Sequence, residues 1–288
     1  MSSTRALKTR TRSVKSTRQI TKAMQLVAAS KMRRTQDATK ASEPYTRAAR
    51  ELLTYLSSQG LTKQHPLFAR REIKKRLLIV VAGDKGLAGA YNGNVMKQYL
   101  RELNSDAKSG IKNETIAIGR RATQFVTRLK NVEMTGVYEN LPDKPSSREL
   151  YAILETVQNK FLQGEVDTVD IIYTEFKNSL VQVALTRHIL PAGFEEIAVR
   201  DAVRDAAYEP SLEAVLDSVT HRLIGAQIFQ ALLDARASEH SMRMVAMKNA
   251  TDNASDLIED LTLAINQARQ SAITQELAEI SGGVEAMN

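Results

Sequence analysis

The chain has 288 residues, of which 43% are hydrophobic and 25% charged, and a formal net charge of +7. That length holds one medium domain with extensions or two small domains, at a balance ordinary for soluble proteins. Without cysteine, disulfides, thiolate catalysis and cysteine metal sites are excluded, and His65, His188, His221 and His240 show no ligand spacing.

Residues 1–59 contain no glycine and a single proline, Pro44, which reads as a long amino-terminal helix. Its opening, MSSTRALKTRTRSV, lacks the apolar core of a signal peptide and is read as mature protein of the cytoplasmic compartment. Residues 1–50 hold thirteen Lys or Arg against two acids, Asp37 and Glu43, so this helix should face anionic groups. Ala41, Tyr45, Ala48, Leu52 and Tyr55 alternate spacings of 4 and 3, and Ile20, Met24 and Val27 do the same earlier. This is one narrow coiled-coil stripe. Pro44 is expected to break or kink the helix near Ser42 and Glu43.

A middle domain over 76–208, with limits near Lys75 and Glu209, alternates strand and helix signals and carries most of the glycines. The apolar run Arg76 to Gly83 reads as a strand buried on both faces. Helix then follows over Asn94 to Ser109, strand over Thr115 to Gly119, helix over Arg120 to Lys130 and strand over Glu133 to Val137. A helix over Ser147 to Gln163, with Ser147 as its cap, leads to a strand over Val169 to Phe176. Lys177-Asn178-Ser179 is a hairpin turn into a strand over Leu180 to His188. The order predicts a mostly parallel, Rossmann-like sheet with helices on both faces and one antiparallel addition.

Residues 210–288 form the last segment. Between Ser211 and Ser281 there is no proline and one glycine, Gly225, so a continuous helix there would reach roughly 105 Å. Met247, Ala250, Ala254, Leu257, Leu261, Ala264 and Ala268 repeat spacings of 3 and 4, a heptad seam rich in alanine that permits close helix approach. From Ala250 onward there are seven acids and one base, Arg269. The simplest burial for two amphipathic terminal helices is an antiparallel coiled coil, since a compact middle domain brings its ends together. The fold class is therefore an α/β domain plus a long coiled coil.

The turn Gly83-Asp84-Lys85-Gly86-Leu87-Ala88-Gly89 sits where nucleotide folds place a phosphate loop. It matches neither G-x-G-x-x-G nor the G-x-x-x-x-G-K-[ST] loop, and Arg120-Arg121 stand where a ribose-binding acid belongs, so it reads as a tight strand-to-helix turn. No catalytic triad, nucleophile elbow or HExxH is present, and Glu195-Glu196 and Glu259-Asp260 are adjacent pairs that diverge by about 100° on a helix. The basic helix lacks interleaved aromatics for nucleic acid, although a nucleic-acid-binding coiled coil is the alternative reading. No apolar run approaches the ~20 residues of a membrane span.

Three segments carry a family resemblance. They are Ile20-Thr21-Lys22-Ala23-Met24 running on to Val27-Ala28-Ala29-Ser30-Lys31-Met32; Asp84-Lys85-Gly86-Leu87-Ala88-Gly89-Ala90-Tyr91-Asn92; and Met244 to Ala254 with Asn266 to Leu277. Together they resemble the gamma subunit, the central rotor stalk, of F-type ATP synthase, in its bacterial form. Ala88 stands where many relatives carry cysteine, and Ile265 where tyrosine is common.

The resemblance implies a non-catalytic subunit without cofactor or metal, peripheral on the cytoplasmic face of the plasma membrane and not inserted in it. It would transmit torque between an ion-driven membrane c-ring and a hexamer of alpha and beta subunits, with the epsilon subunit packed at its base, so that ion flow couples to ATP synthesis or hydrolysis. By position, Met24, Arg243, Arg269, Gln270, Thr274 and Glu276 would contact beta subunits. Ile273, Leu277 and Ile280 would form an apolar tip in the upper sleeve of that ring. Arg33, Arg34, Tyr208 and Glu209 would meet the membrane ring. No nucleic-acid partner is implied.

Overall fold

The computed structural model describes residues 4–130, 132–143, 147–193, 196–204 and 208–285. Helix α1 spans Thr4–Ser58, and two short 3-10 turns, Leu61–Gln64 and Pro66–Phe68, lead into the sheet region. Strands and helices then alternate as β1 (Lys75–Val81), α2 (Tyr91–Lys108), β2 (Lys112–Ile118), α3 (Arg120–Val126), β3 (Glu133–Tyr138), α4 (Ser147–Leu162), β4 (Thr168–Phe176) and β5 (Gln182–Leu190). A short α5 (Asp201–Arg204) precedes α6, Leu212–Glu285, of 74 residues. The side chain of Ser147 lies outside the described residues, as do those of Ser42 and Glu43.

The five strands lie in the order β3-β2-β1-β4-β5. β1 is parallel to β2 and β4, β2 is parallel to β3, and β5 is antiparallel to β4. This is the mixed sheet the strand–helix alternation predicts. Side chains alternate across a strand, so the continuous apolar run of β1 feeds two cores. Leu77, Ile79 and Val81 join Ile116, Ile171 and Tyr173 on one face, under Ile153, Val157 and Phe161 of α4 and Ile224, Ile228 and Ala231 of α6. Leu78 and Val80 join Ala117 and Ile172 on the other, under Val95 and Tyr99 of α2 and Ala122 and Val126 of α3.

Element limits differ from the sequence expectation where local hydrogen bonds decide them. α2 starts at Tyr91, because the turn closes there with Tyr91 N–H donating to Ala88 O and Asn94 N–H to Ala90 O. α3 ends at Val126, where Arg128 and Leu129 bond back three residues and tighten the last turn. β5 begins at Gln182 rather than Leu180, since the Asn178 side chain takes the N–H groups of Leu180 and Val181 at 2.9 Å each.

Pro44 does not break α1, which is helical from Thr4 to Ser58 with Pro44 inside it. Proline costs a helix its own N–H and crowds the carbonyl four residues back. Here Lys40 and Pro44 are exposed, so water can serve the displaced carbonyl. The turns beyond are held tertiarily: Leu53 and Leu56 are fully buried in a cluster with Leu216 and Leu223 of α6.

Contacts divide the chain into two units, residues 1–28 with 243–288, and residues 29–242. The second unit holds the sheet with the adjoining stretches of α1 and α6. Gly225 lies at the α4 crossing, where a Cβ would meet Leu154 at 3.3 Å.

The first unit is a pair of antiparallel helical segments. On α6 the predicted seam is the buried one: Met247, Ala254 and Leu261 are buried, and Ala250, Leu257, Ala264 and Ala268 are half-buried. On α1 the predicted seam is corrected. Ile20 and Val27 are 57% and 56% exposed. The buried positions are Thr11, Thr21 and Ala28, flanked by half-buried Leu7, Val14 and Gln25, which still follow 3- and 4-residue spacings. Threonine serves because its hydroxyl bonds within its own helix, Thr11 to Leu7 O at 2.9 Å and Thr21 to Arg18 O at 3.1 Å.

Candidate functional site

In an open, doubly wound sheet the place for a ligand is the crevice at the carboxyl ends of the parallel strands, beside the turn after β1. Here that turn is Gly83 to Ala90, and it is filled from within the chain. Gly83 N–H donates to Asn92 Oδ1 at 2.9 Å. A Cβ on Gly83 would stand 2.8 Å from Glu239 Oε1 of α6, so the Glu239 carboxylate occupies the space beside the glycine turn. Gly119, at the end of β2, has φ +91, and a Cβ there would come within 2.1 Å of Ala82 O. Only glycine allows the two strand ends to approach that closely.

Arg236 of α6 closes the crevice. Its Nη1 donates to Glu239 at 2.9 Å, and its Nη2 donates to Asp84 at 3.2 Å and to Leu141 O at 2.9 Å. Asp84 also accepts from the backbone N–H groups of Arg120 and Asn140, at 3.0 Å each. Burial by itself would raise the Asp84 pKa, but these two N–H groups and Arg236 outweigh it and hold the carboxyl below its ordinary range. One carboxylate therefore ties together the turn after β1, the start of α3 and the segment after β3, and α6 caps all three.

A second feature lies at the carboxyl end of α6. Thr251 Oγ1 donates to Thr21 Oγ1 at 2.8 Å, which fixes the register of the antiparallel pair. By that register Thr4 falls beside Ala268, so α6 from Arg269 to Glu285 continues with no described residue of α1 alongside. Residues 269–278 are exposed, as is Ile280. The seam runs out in Ser271, Gln275 and Ala278, and apolar residues reappear on a different stripe. Ile273, Leu277 and Ile280 are 49%, 62% and 66% exposed. Two positions of offset turn a helix by about 200°, so this stripe cannot be the α1 seam continued.

The remaining residues singled out from the sequence fall in separate places. Met24 and Arg243 are half-buried, and the Thr21–Thr251 register puts them within about two turns of each other. Arg269, Gln270, Thr274 and Glu276 are exposed on α6, and roughly 39 Å of helix separates Arg243 from Arg269. The suggested beta-subunit contacts thus form two bands within this unit. In the sheet-bearing unit, Tyr208 stacks on Tyr55, with ring centroids 5.7 Å apart, and its hydroxyl donates to Val203 O. Glu209 is exposed beside it. Arg33 and Arg34 are exposed on α1 but more than twenty positions from Tyr55, roughly 30 Å along the helix, so the structure does not bring the two pairs together.

No local pattern signals what holds the segment before Tyr208. Arg200 donates to Glu51 of α1 through its backbone N–H at 2.8 Å and through Nε and Nη2 in three side-chain hydrogen bonds of 2.8, 3.0 and 2.8 Å. The side-chain hydrogen bond from Arg200 is the main reason the Glu51 carboxyl lies below its ordinary range. His240 of α6 and Lys31 of α1 likewise share Asp143, at 2.9 Å each. The His240 hydrogen bond is the chief cause holding the Asp143 carboxyl far below its usual range. Among the described residues no group of His, Asp or Glu could hold a metal ion, and no helix is long and apolar enough to cross a membrane.

A family model described as ATP synthase matches residues 3–287. The ATP synthase gamma chain of Stenotrophomonas maltophilia (strain R551-3) is 40% identical over 288 residues, covering 100% of both chains. The chain belongs to the ATP synthase gamma chain family. Solved structures agree on the fold. A chain in the Euglena gracilis mitochondrial ATP synthase, in the OSCP/F1/c-ring assembly in rotational state 3, superposes with a TM-score of 0.71 at 20% identity, covering 99% of this chain and 94% of that one. A chain of the rotor of the same enzyme in rotational state 1 gives 0.65 at 19% identity, covering 94% and 98%. Membership favours the stalk reading over a nucleic-acid-binding coiled coil.

Proposed function

We propose that this chain is the central-stalk rotor of a bacterial F-type ATP synthase and is itself non-catalytic. Its task is to carry torque between an ion-driven membrane ring and a catalytic hexamer, so that ion flow and ATP synthesis or hydrolysis are coupled. The observation that carries this reading is the end of α6, a lone helix bearing an uncovered apolar stripe, Ile273, Leu277 and Ile280. Exposed apolar stripes mark surfaces that other proteins cover. A ring of alpha and beta subunits enclosing that helix would cover it.

The filled crevice supports a non-catalytic role. Glu239 and Arg236 stand beside the glycine turn, where a related fold would receive phosphate, and a carboxylate there repels one. In the proposal the chain divides into a coiled-coil helix over 1–59, a Rossmann-like domain over 76–208 and a second coiled-coil helix over 210–288. The beta subunits meet Arg269, Gln270, Thr274 and Glu276 in one band and Met24 with Arg243 in another. The two-band arrangement supports contact at two heights. Tyr208, stacked on Tyr55, and Glu209 beside it belong to a base that meets the membrane c-ring. Arg33 and Arg34 make a separate contact on the ring side, and the epsilon subunit packs at that base. The complex lies at the cytoplasmic face of the plasma membrane, and this chain stays outside the bilayer.

A shaft acts by favouring one partner conformation over another at each angle, and about 1.4 kcal/mol of bias changes a population ratio tenfold. The test uses the absence of cysteine. Ile273→Cys gives this chain one thiol, to be loaded with a photoreactive maleimide in the assembled complex. Crosslinks to alpha or beta subunits are expected; crosslinks confined to other subunits would overturn the reading. Calorimetry of the isolated chain with ATP should show no stoichiometric binding.

A further inference from the structure

The face of the sheet opposite α6 carries a feature the stalk reading does not use. α2 and α3 both cross over from parallel strands and lie side by side on that face. Between them runs a groove of about 660 Å³. Met96, Leu100 and Phe125 are among its lining, and Leu100 is 37% exposed despite its size. Lys97 and Arg101 line it from α2, four residues apart, and Arg128 lines it from α3. Arg121 closes the end nearest the glycine turn, its Nη2 3.2 Å from where a Cβ on Gly86 would sit. The carboxylates of α2 are engaged elsewhere: Glu102 and Asp106 both bind Arg76, at 2.9 and 3.1 Å. Among the described residues no ion pair involves Lys97, Arg101, Arg121 or Arg128.

We propose that this groove docks an acidic amphipathic helix of a partner protein, with apolar side chains seated on Met96, Leu100 and Phe125 and flanking carboxylates facing the four cations. The argument is charge complementarity combined with shape. Both walls carry positive charge with no carboxylate in the groove, while its apolar members, buried Met96, half-buried Phe125 and exposed Leu100, are contributed by both helices. An amphipathic helix presents that combination, with anchors at i, i+3, i+4 and i+7. Single-stranded nucleic acid would call for several aromatic platforms, and the groove has one aromatic ring, Phe125. A lipid surface would need apolar groups that protrude. The cations add rate and specificity through steering, so binding should weaken with salt.

The experiment uses the full chain and a defined probe, a fluorescent twenty-residue helical peptide with Leu at i, i+4 and i+7 and Glu at the flanking positions. Its controls are the same peptide with Lys for Glu, a single-stranded oligonucleotide and anionic phospholipid vesicles. Saturable binding of the Glu peptide is expected, at least tenfold tighter than the Lys peptide. Arg101→Glu with Arg128→Glu should weaken it at least tenfold, and Leu100→Asp should do so without changing the circular dichroism. Equal affinity for wild type and the charge-reversed variant would overturn the proposal. So would retention of the oligonucleotide or vesicles with the Glu peptide silent, or no saturable peptide binding at low salt.

Discussion

The Thr251 hydroxyl lies 2.8 Å from that of Thr21, across the interface of the two long helices. Each also has a partner in its own helix: Thr21 faces Arg18 O at 3.1 Å and Thr251 faces Met247 O at 2.8 Å. Neither hydroxyl is orphaned if the other is removed. What the site selects is therefore small volume and a self-satisfied polar group. Thr21→Val should be close to neutral, within about 1 kcal/mol. Thr21→Leu overpacks the seam and should cost about 1–3 kcal/mol. Urea unfolding of the full chain checks both; a costly Val with a neutral Leu would show that the cross-helix bond governs.

Arg236 offers a sharper test, because it sits among two carboxylates, Asp84 and Glu239, with side chains 13% and 4% exposed. Arg236→Met leaves both negative charges in place without their cation, and losing one partner of such a group costs about 3–5 kcal/mol. Arg236→Lys should lose part of that, since an ammonium cannot reproduce the fork that reaches Glu239, Asp84 and Leu141 O together. Thermal unfolding should rank wild type above Lys above Met.

Asp234 of α6 gives a pH-dependent prediction. Burial pushes its carboxyl up to about 6, with Arg187 and Gln230 pulling it partly back and Glu175 pushing further up. A carboxyl whose folded pKa exceeds its unfolded value of about 3.9 contributes stability that is full below pH ~4 and is lost as pH rises through ~6. At neutral pH the ionised group is a liability. Asp234→Asn should therefore stabilise the chain by up to about 3 kcal/mol at pH 8 and have little effect at pH 4. Unfolding midpoints at the two pH values measure the difference, and the Gln230 hydrogen bond, 3.1 Å in the wild type, has an acceptor in either variant.

The sheet and the α6 seam were legible because they follow from apolar periodicity: β1 is apolar on both faces, and Met247 to Ala268 keep a strict heptad. The α1 seam was misread for the same reason. Its buried positions are Thr11, Thr21 and Ala28, which a hydropathy pattern passes over in favour of Ile20 and Val27. Local propensity predicts a break or kink at Pro44; the helix is not broken there, and burial of Leu53 and Leu56 against α6 holds the following turns. The glycine turn matches no phosphate-loop spacing, but its closure by Arg236 and Glu239 depends on residues about 150 positions away. No local pattern reports such a contact.

The proposed contact band on α6 can be tested apart from folding. Gln270 and Thr274 are both exposed, and the Thr274 hydroxyl donates to Gln270 O at 3.0 Å within the helix. Gln270→Ala removes no interaction with α1, and Thr274→Val removes only this local bond, so each should move the stability of the isolated chain by less than about 0.5 kcal/mol. If these side chains bear on a partner that changes conformation, the same variants should lower ATP synthesis by assembled complexes several-fold while leaving complex yield unchanged. Each 1.4 kcal/mol of lost differential contact corresponds to a factor of ten in the partner's conformational ratio. Full synthesis rates in both variants would remove Gln270 and Thr274 from the proposed contact band and confine the proposal to the stripe Ile273, Leu277 and Ile280.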